Sequence, residues 1–303
     1  MSDAALPKER PASHFILLDL WRVLKKDKTA LVGFFIIVGL LGVAVFAPWI
    51  APYDYSEQHI RDAFQGPSAR YWLGTDEYGR DALTRIIWGT RPALLVGVLS
   101  VLVSMVIGVP IGIMAGYKMG WLDRVVGWFV DIMLSFPSLL LGLMLVTLLG
   151  GGVYKVVLAI GIAHVPQYIR LARGPTMAVR QMDFVTASRS LGAGDLRIAF
   201  SDILPNVIGP IIIMGTLSIA GAIRMEASLS FLGLGVQPPT PSWGNMIREG
   251  VRNILQNQYM AVFPGVALTL TVLAYNMVGD SLRDMFDPRE IVGRKKRRPA
   301  PAK

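Results

Sequence analysis

The most constraining feature of this sequence is a series of long stretches that hold no charged residue. Thr29 to Tyr53 is the first, Pro92 to Tyr117 the second and Ile132 to Tyr154 the third. Asn206 to Ile223 and Asn253 to Gly279 follow. About 20 consecutive apolar residues cross the hydrocarbon core of a bilayer as a helix. The stretch from Lys155 to Arg170 is shorter and carries His164 and Pro166. It reads as a further span, with Arg170 snorkelling from its end. The expected fold is therefore an all-α integral membrane protein with six transmembrane helices. Composition agrees: 17% of residues are charged and the mean hydropathy is +0.49, against about 25% charged in a soluble domain. Cysteine is absent, which excludes disulfides, thiolate metal sites and cysteine nucleophiles. The net charge of +9 fits loops facing anionic lipid better than nucleic acid.

Six spans put both ends on one side. If that side is the cytoplasm, the inner segments hold 21 of the 30 basic residues and the outer ones 9. The positive-inside rule then places both termini in the cytoplasm. No signal peptide is expected, because Pro7, Pro11 and four acidic residues precede the first apolar run. In residues 13–28, Leu17, Leu20, Trp21 and Leu24 share one helical face, and Asp19, Arg22 and Lys26 another. That pattern predicts an N-terminal amphipathic helix lying on the interface. The run "GRKKRRPAPAK" (293–303) reads as a disordered basic tail beside anionic lipid.

One charged segment between two apolar ones stands out: "MDFVTASRSLGAGDLRIAFSDILPN" (182–206). Asp183 to Leu191 is predicted to form a short helix stopped by Gly192 or Gly194, since glycine accepts the left-handed cap conformation. A second helix is predicted from Asp195, as N-cap, to about Leu204, with Pro205 opening the next span. Such a unit is either a rigid protrusion for a cytoplasmic partner or a structured loop with none.

The spacing of this segment resembles the cytoplasmic loop of ABC importer permeases: Glu-Ala-Ala, three residues, Gly, then Leu-Pro. Thr186-Ala187-Ser188 stands where Glu-Ala-Ala is usual, Gly192 falls at the matching offset and Leu204-Pro205 closes the pattern. Further stretches resemble the oligopeptide/dipeptide branch: "WRVLKKDKTALVG" (21–33), "LGTDEYGRDALTRIIWGTRPALLVG" (73–97), "ASLSFLGLGVQPPTPSWGNM" (227–246) and "NMVGDSLRDMFDPR" (276–289). The likeness points to the second permease of the pair, the one with a long first outer loop. It implies a type I ABC importer permease fold. It also implies a homologous second permease, two cytoplasmic ATPase subunits and an extracytoplasmic substrate-binding protein as partners. By that resemblance ATP and Mg2+ belong to the ATPases, and this chain binds no cofactor of its own. No Gly-x-x-x-x-Gly-Lys-Ser/Thr loop is present. The coupling residues it implies are Asp183, Phe184, Val185, Thr186, Ala187, Ser188, Arg189, Leu191, Gly192, Ala193 and Asp195. The implied organisation is a cytoplasmic N-terminus (1–28), a first span with a long outer loop (29–91), a permease core (92–282) with its coupling loop (173–205), and a basic tail (283–303). The cargo expected is a di- or oligopeptide, with nickel, glutathione or an opine-like solute as alternatives. A six-span membrane enzyme and an ATP-independent channel are the rivals from other classes.

Other residues carry narrower expectations. Gly108, Gly112 and Gly116 recur every four residues and predict a close helix–helix approach, with Pro110 permitting a bend. Asp131, Arg224 and Glu226 are candidate lining residues of the translocation pathway, because ionisable groups at membrane depth face water or a partner. The alternative for Asp131 is an interfacial bond to Arg124 or Lys118; for Arg224 and Glu226 it is an outer salt bridge. Asp76, Arg80 and Asp81 suggest a fixed outer turn with an internal ion pair. "QPPTPSWG" (237–244) predicts an extended outer turn, with Trp243 as an interfacial anchor. His14, His59 and His164 are too scattered for a metal cluster.

Overall fold

A computed structural model describes residues 27–286. The expected amphipathic N-terminal helix and the basic tail lie outside the described residues. Everything regular among the described residues is helical. Helix α1 is Lys28–Ile50, α2 is Ala82–Lys118, α3 is Gly120–Ser135 and α4 is Ser138–Leu149. Helix α5 is Val153–Val179 and α6 is Asp183–Ser190. The short α7, Asp195–Arg197, runs through a π-helical stretch, Ile198–Ile203, into α8, Leu204–Phe231. Helix α9 is Trp243–Arg252 and α10 is Tyr259–Phe286.

Four of these elements are long and apolar enough to cross a membrane: α1, α2, the continuous Asp195–Phe231 rod and α10. The pair α3 and α4 makes a fifth if its two arms count as one span. The expected span Ile132–Tyr154 is not a single helix: the chain bends by 94° between Ser135 and Ser138. Pro137 has no N–H and pushes Phe136 into extended backbone (ψ 140°). Helix α5 is the sixth element. At 27 residues it is about 40 Å long, but it is less apolar than the others.

Helices α2 and α5 run parallel and form the most extensive helix pair. Ser100 Oγ donates to Val157 O at 3.1 Å and Ser104 Oγ to Gly161 O at 2.7 Å. The glycines continue that register. A Cβ on Gly108 would meet Val165 O at 2.8 Å, and one on Gly116 would meet Arg173 O at 2.7 Å. On Gly112 it would collide with Ile169 O. The glycine repeat is thus a packing seam, as expected. On its other side α2 meets α8 antiparallel: Gly97 lies on Ile223, and Gly215 on Met105. Gly33 of α1 lies against Ala274 O of α10.

Charge makes α2 look shorter in sequence than it is. The helix starts ten residues before Pro92 because Asp81 caps it, accepting from Thr84 N at 2.8 Å. The arginines in the extension are all engaged. Pro48 inside α1 lacks the N–H that would bond Ala44 O. Arg91 Nε donates to that oxygen at 2.6 Å and its Nη2 to Val45 O at 3.2 Å. The guanidinium also lies 4.6 Å over the Trp88 ring.

Candidate functional site

Two regions carry the functional expectations. The first is the segment that protrudes between α5 and α8. Helix α6 ends as expected at Gly192, whose φ is +81°. Ala193 N donates to Ser188 O at 3.1 Å and Gly192 N to Arg189 O at 3.0 Å, the paired bonds of a Schellman cap. Val185 turns inward and is buried in the same apolar core as Val179, Ile198 and Ile203. It anchors the helix and does not belong to an outward contact surface. Asp183, Phe184, Thr186, Ala187, Arg189, Leu191, Gly192 and Asp195 are exposed, Leu191 at 88%, while Ser188 and Ala193 are half-buried. Asp195 does not cap the second helix: the N-cap is Gly194, with no side-chain bond. The Asp195 carboxylate instead takes the Tyr117 hydroxyl at 3.1 Å and Lys118 Nζ at 3.3 Å. Arg189 lies 5.5 Å over the Tyr117 ring. The protrusion is thereby tied to the end of α2 as well as to α5 and α8.

The second region is a cleft of about 400 Å3 between α4, α5 and α8. Ser138, His164, Gln167, Ser218, Arg224 and Ser228 line it. On α8, residues 214, 218, 221, 224 and 228 recur at three- and four-residue steps, so they form one face. His164 Nδ1 bonds Ile160 O at 2.8 Å, which leaves Nε2 for the cleft. Arg224 makes no ion pair among the described residues. Glu226 does not line the cleft, contrary to expectation. It is fully buried on the opposite side of α8 and accepts from Ser230 Oγ at 2.7 Å. Val236 N donates to that hydroxyl at 3.1 Å, and Asn245 Nδ2 to Val236 O at 2.5 Å. Glu226 therefore pins the loop to α9.

Asp131 lines a separate recess of about 490 Å3 between α3 and α5. Its partner is Arg170, at 2.8 Å, and neither Arg124 nor Lys118. Both side chains are more than half exposed, so the pair contributes at most about 1 kcal/mol. Deeper in the same recess, Arg173 grips Asp123 with two bonds, at 2.5 and 2.8 Å.

At the end of α2 remote from the protrusion, the expected turn forms around Asp76. Its carboxylate accepts from Tyr78 N, Arg80 N and Arg80 Nε. Sequence reasoning missed the remainder of that cluster. Arg85 Nη1 also bonds Asp76, and Glu249 of α9 lies 3.0 Å from Arg85 and 3.5 Å from Arg80. All four groups are buried or nearly so. Glu249, 164 residues from Arg85, left no signal in the sequence. Trp243 is also not an interfacial anchor. It is buried, packs on Gly89 and donates from Nε1 to Ile86 O at 3.1 Å. In the loop between α1 and α2, Asp62 sits below the usual carboxylate range, mainly because Tyr71 donates to it at 2.8 Å, with Arg70 adding to the effect.

A helical membrane body, a polar cleft open on one side and a capped protrusion tied to three helices define a transporter's membrane subunit. The chain belongs to the family of binding-protein-dependent transport system inner membrane components, whose model matches residues 108–292. Residues 17–67 match the N-terminal TM domain of oligopeptide transport permease C. The di/tripeptide transport system permease protein DppC of Pseudomonas aeruginosa is 43% identical over 95% of each chain. The dipeptide transport system permease protein DppC of Alkalihalophilus pseudofirmus is 40% identical over 92% of this chain and 93% of its own. The glutathione transport system permease protein GsiD of Pectobacterium atrosepticum is 40% identical over 89% of this chain and 90% of its own. A solved chain of the MetNI methionine ABC transporter in inward-facing form superposes with a TM-score of 0.54. It is 18% identical and covers 66% of this chain and 95% of its own length. The chain is an inner-membrane permease subunit of an ABC importer with the type I fold.

Proposed function

We propose that this permease carries di- or oligopeptides, paired with a homologous second permease. Two cytoplasmic ATPases and an extracytoplasmic binding protein complete the assembly, and ATP and Mg2+ are handled by the ATPases. Both termini face the cytoplasm. The surface of α6 then docks into an ATPase groove, through Phe184, Thr186, Arg189 and Leu191. Closure of the ATPase pair moves α6, and the cleft between the permeases turns outward to receive cargo. The observation that carries the reading is the cap at Gly192: it ends α6 sharply while Tyr117, Lys118 and Val185 tie the unit to three helices. The relatives named for dipeptides support the cargo. Glutathione is the second reading, favoured by relatives named for its transport.

The test is ATP-dependent uptake of labelled dipeptide by the reconstituted complex, with glutathione as competitor. Gly192→Pro is the diagnostic variant. Proline holds φ near −65° and removes the N–H that bonds Arg189 O, so the cap cannot form. Membrane insertion should persist and uptake should vanish. Normal uptake in that variant would count against the docking role.

A further inference from the structure

We infer that Arg224 is a carboxylate-binding residue of the path, holding the free acid terminus of a short peptide as it passes. The inference rests on the peptide reading above and assigns a chemical role to one residue of its cleft.

Arg224 lies seven residues from the end of α8, about 10 Å below it along the axis. A cation at that depth is costly unless paired or facing water. No carboxylate among the described residues pairs with it; Glu226, two residues on, is buried on the far side of the helix and bonded by Ser230. Nor does Arg224 lie on a convex lipid-facing surface. It shares a concave face with Ser138 of α4 and with His164 and Gln167 of α5.

The surrounding groups match a peptide terminus. A guanidinium is a planar fork of donors suited to a carboxylate. His164 gives its Nδ1 hydrogen to Ile160 O, so its Nε2 is an acceptor for an amide N–H. Gln167 offers both a donor and an acceptor. Ser218 adds a hydroxyl on the α8 side. Carboxylate, N–H and C=O at the end of a peptide each find a complementary group in this cleft.

The experiment uses the complete transporter in proteoliposomes, with its binding protein saturated. Uptake of a dipeptide with a free C-terminal acid is compared with uptake of its C-terminal amide. The wild type should favour the acid. Arg224→Gln should reduce that preference by about ten- to hundredfold, the worth of one charge-assisted bond, chiefly by slowing the acid. Arg224→Lys should restore part of it. An unchanged ratio with intact uptake would assign the preference to the binding protein and overturn the inference. Equal slowing of acid and amide would also overturn it, by reducing Arg224 to a structural role. Loss of the second permease from the purified Arg224→Gln complex would make Arg224 a subunit contact instead. If the wild type transports neither dipeptide while glutathione or another solute enters, the cargo reading itself fails, which none of the preceding outcomes implies.

Discussion

The contact between Arg91 and the α1 carbonyls gives a prediction whose size follows from the geometry. Pro48 withholds the N–H that Ala44 O would otherwise accept, and Arg91 Nε supplies a donor at 2.6 Å. Replacing Arg91 by leucine leaves that oxygen without a partner, at a cost of about 1–3 kcal/mol. It also removes the stacking on Trp88, worth about 0.5–2 kcal/mol. Arg91→Leu alone should therefore destabilise by about 1.5–5 kcal/mol. Pro48→Ala returns an N–H to the helix, and Ala44 O regains an ordinary intrahelical bond. In that background Arg91→Leu loses only the stacking. The double-mutant cycle should thus show a coupling of about 1–3 kcal/mol, a factor of roughly 5 to 160 in the unfolding equilibrium. Equilibrium unfolding in bicelles, for the wild type, both single variants and the double, measures it. Additivity within about 0.5 kcal/mol would refute the argument, because the proline would then have no part in what Arg91 does.

Three further outcomes are expected. Glu249→Ala leaves Arg80 and Arg85 opposite Asp76 alone, an uncompensated buried charge, and should cost about 3–5 kcal/mol in thermal unfolding of the purified subunit. Neutralising Arg85 in the same chain should recover part of that loss. Gly112→Val drives a side chain into Ile169 O and should separate α2 from α5, measured as loss of cysteine cross-linking between residues introduced at 100 and 157. In the α1–α2 loop, the folded-state pKa of Asp62 is depressed, chiefly by the Tyr71 hydroxyl. Its contribution is therefore present above the unfolded value of about 3.9 and is lost as pH falls through the folded value. Hydrogen exchange over residues 54–81 should rise on acidification in that window, and the rise should be absent in Asp62→Asn.

Hydropathy alone located the four long apolar helices and the bent pair α3–α4, because a charge-free run has few other ways to satisfy its backbone. It erred where charge or proline meets a helix. The beginning of α2 was misplaced because Arg85 and Arg91 read as loop residues, although each is paired in the fold. The end of α5 was misplaced for the same reason at Arg170 and Arg173, whose partners Asp131 and Asp123 sit on α3. The bend at Pro137 was hidden because no charge interrupts Ile132 to Tyr154. The stop at Gly192 and the seam of Gly108, Gly112 and Gly116 were readable, since both follow from what a missing Cβ permits. Which face of α8 opens to the cleft was not readable. Arg224 and Glu226 are two residues apart, and only the packing of α2 and α9 decides that one is open and the other enclosed.

The helical rod from Asp195 to Phe231 has a consequence for timing. Its 37 residues measure about 55 Å end to end, so one unbroken backbone reaches from the protrusion to the cleft. Asp195 is held at one end by Tyr117 and Lys118, and Arg224 stands near the other. Under the proposed docking role, news of nucleotide state needs no relay through intervening loops to reach the cargo. Slack along the way lies in the wider-turned stretch at Ile198–Ile203 and at Pro210, which has no N–H for the turn before it, and their stiffness would set how tightly hydrolysis and release keep step.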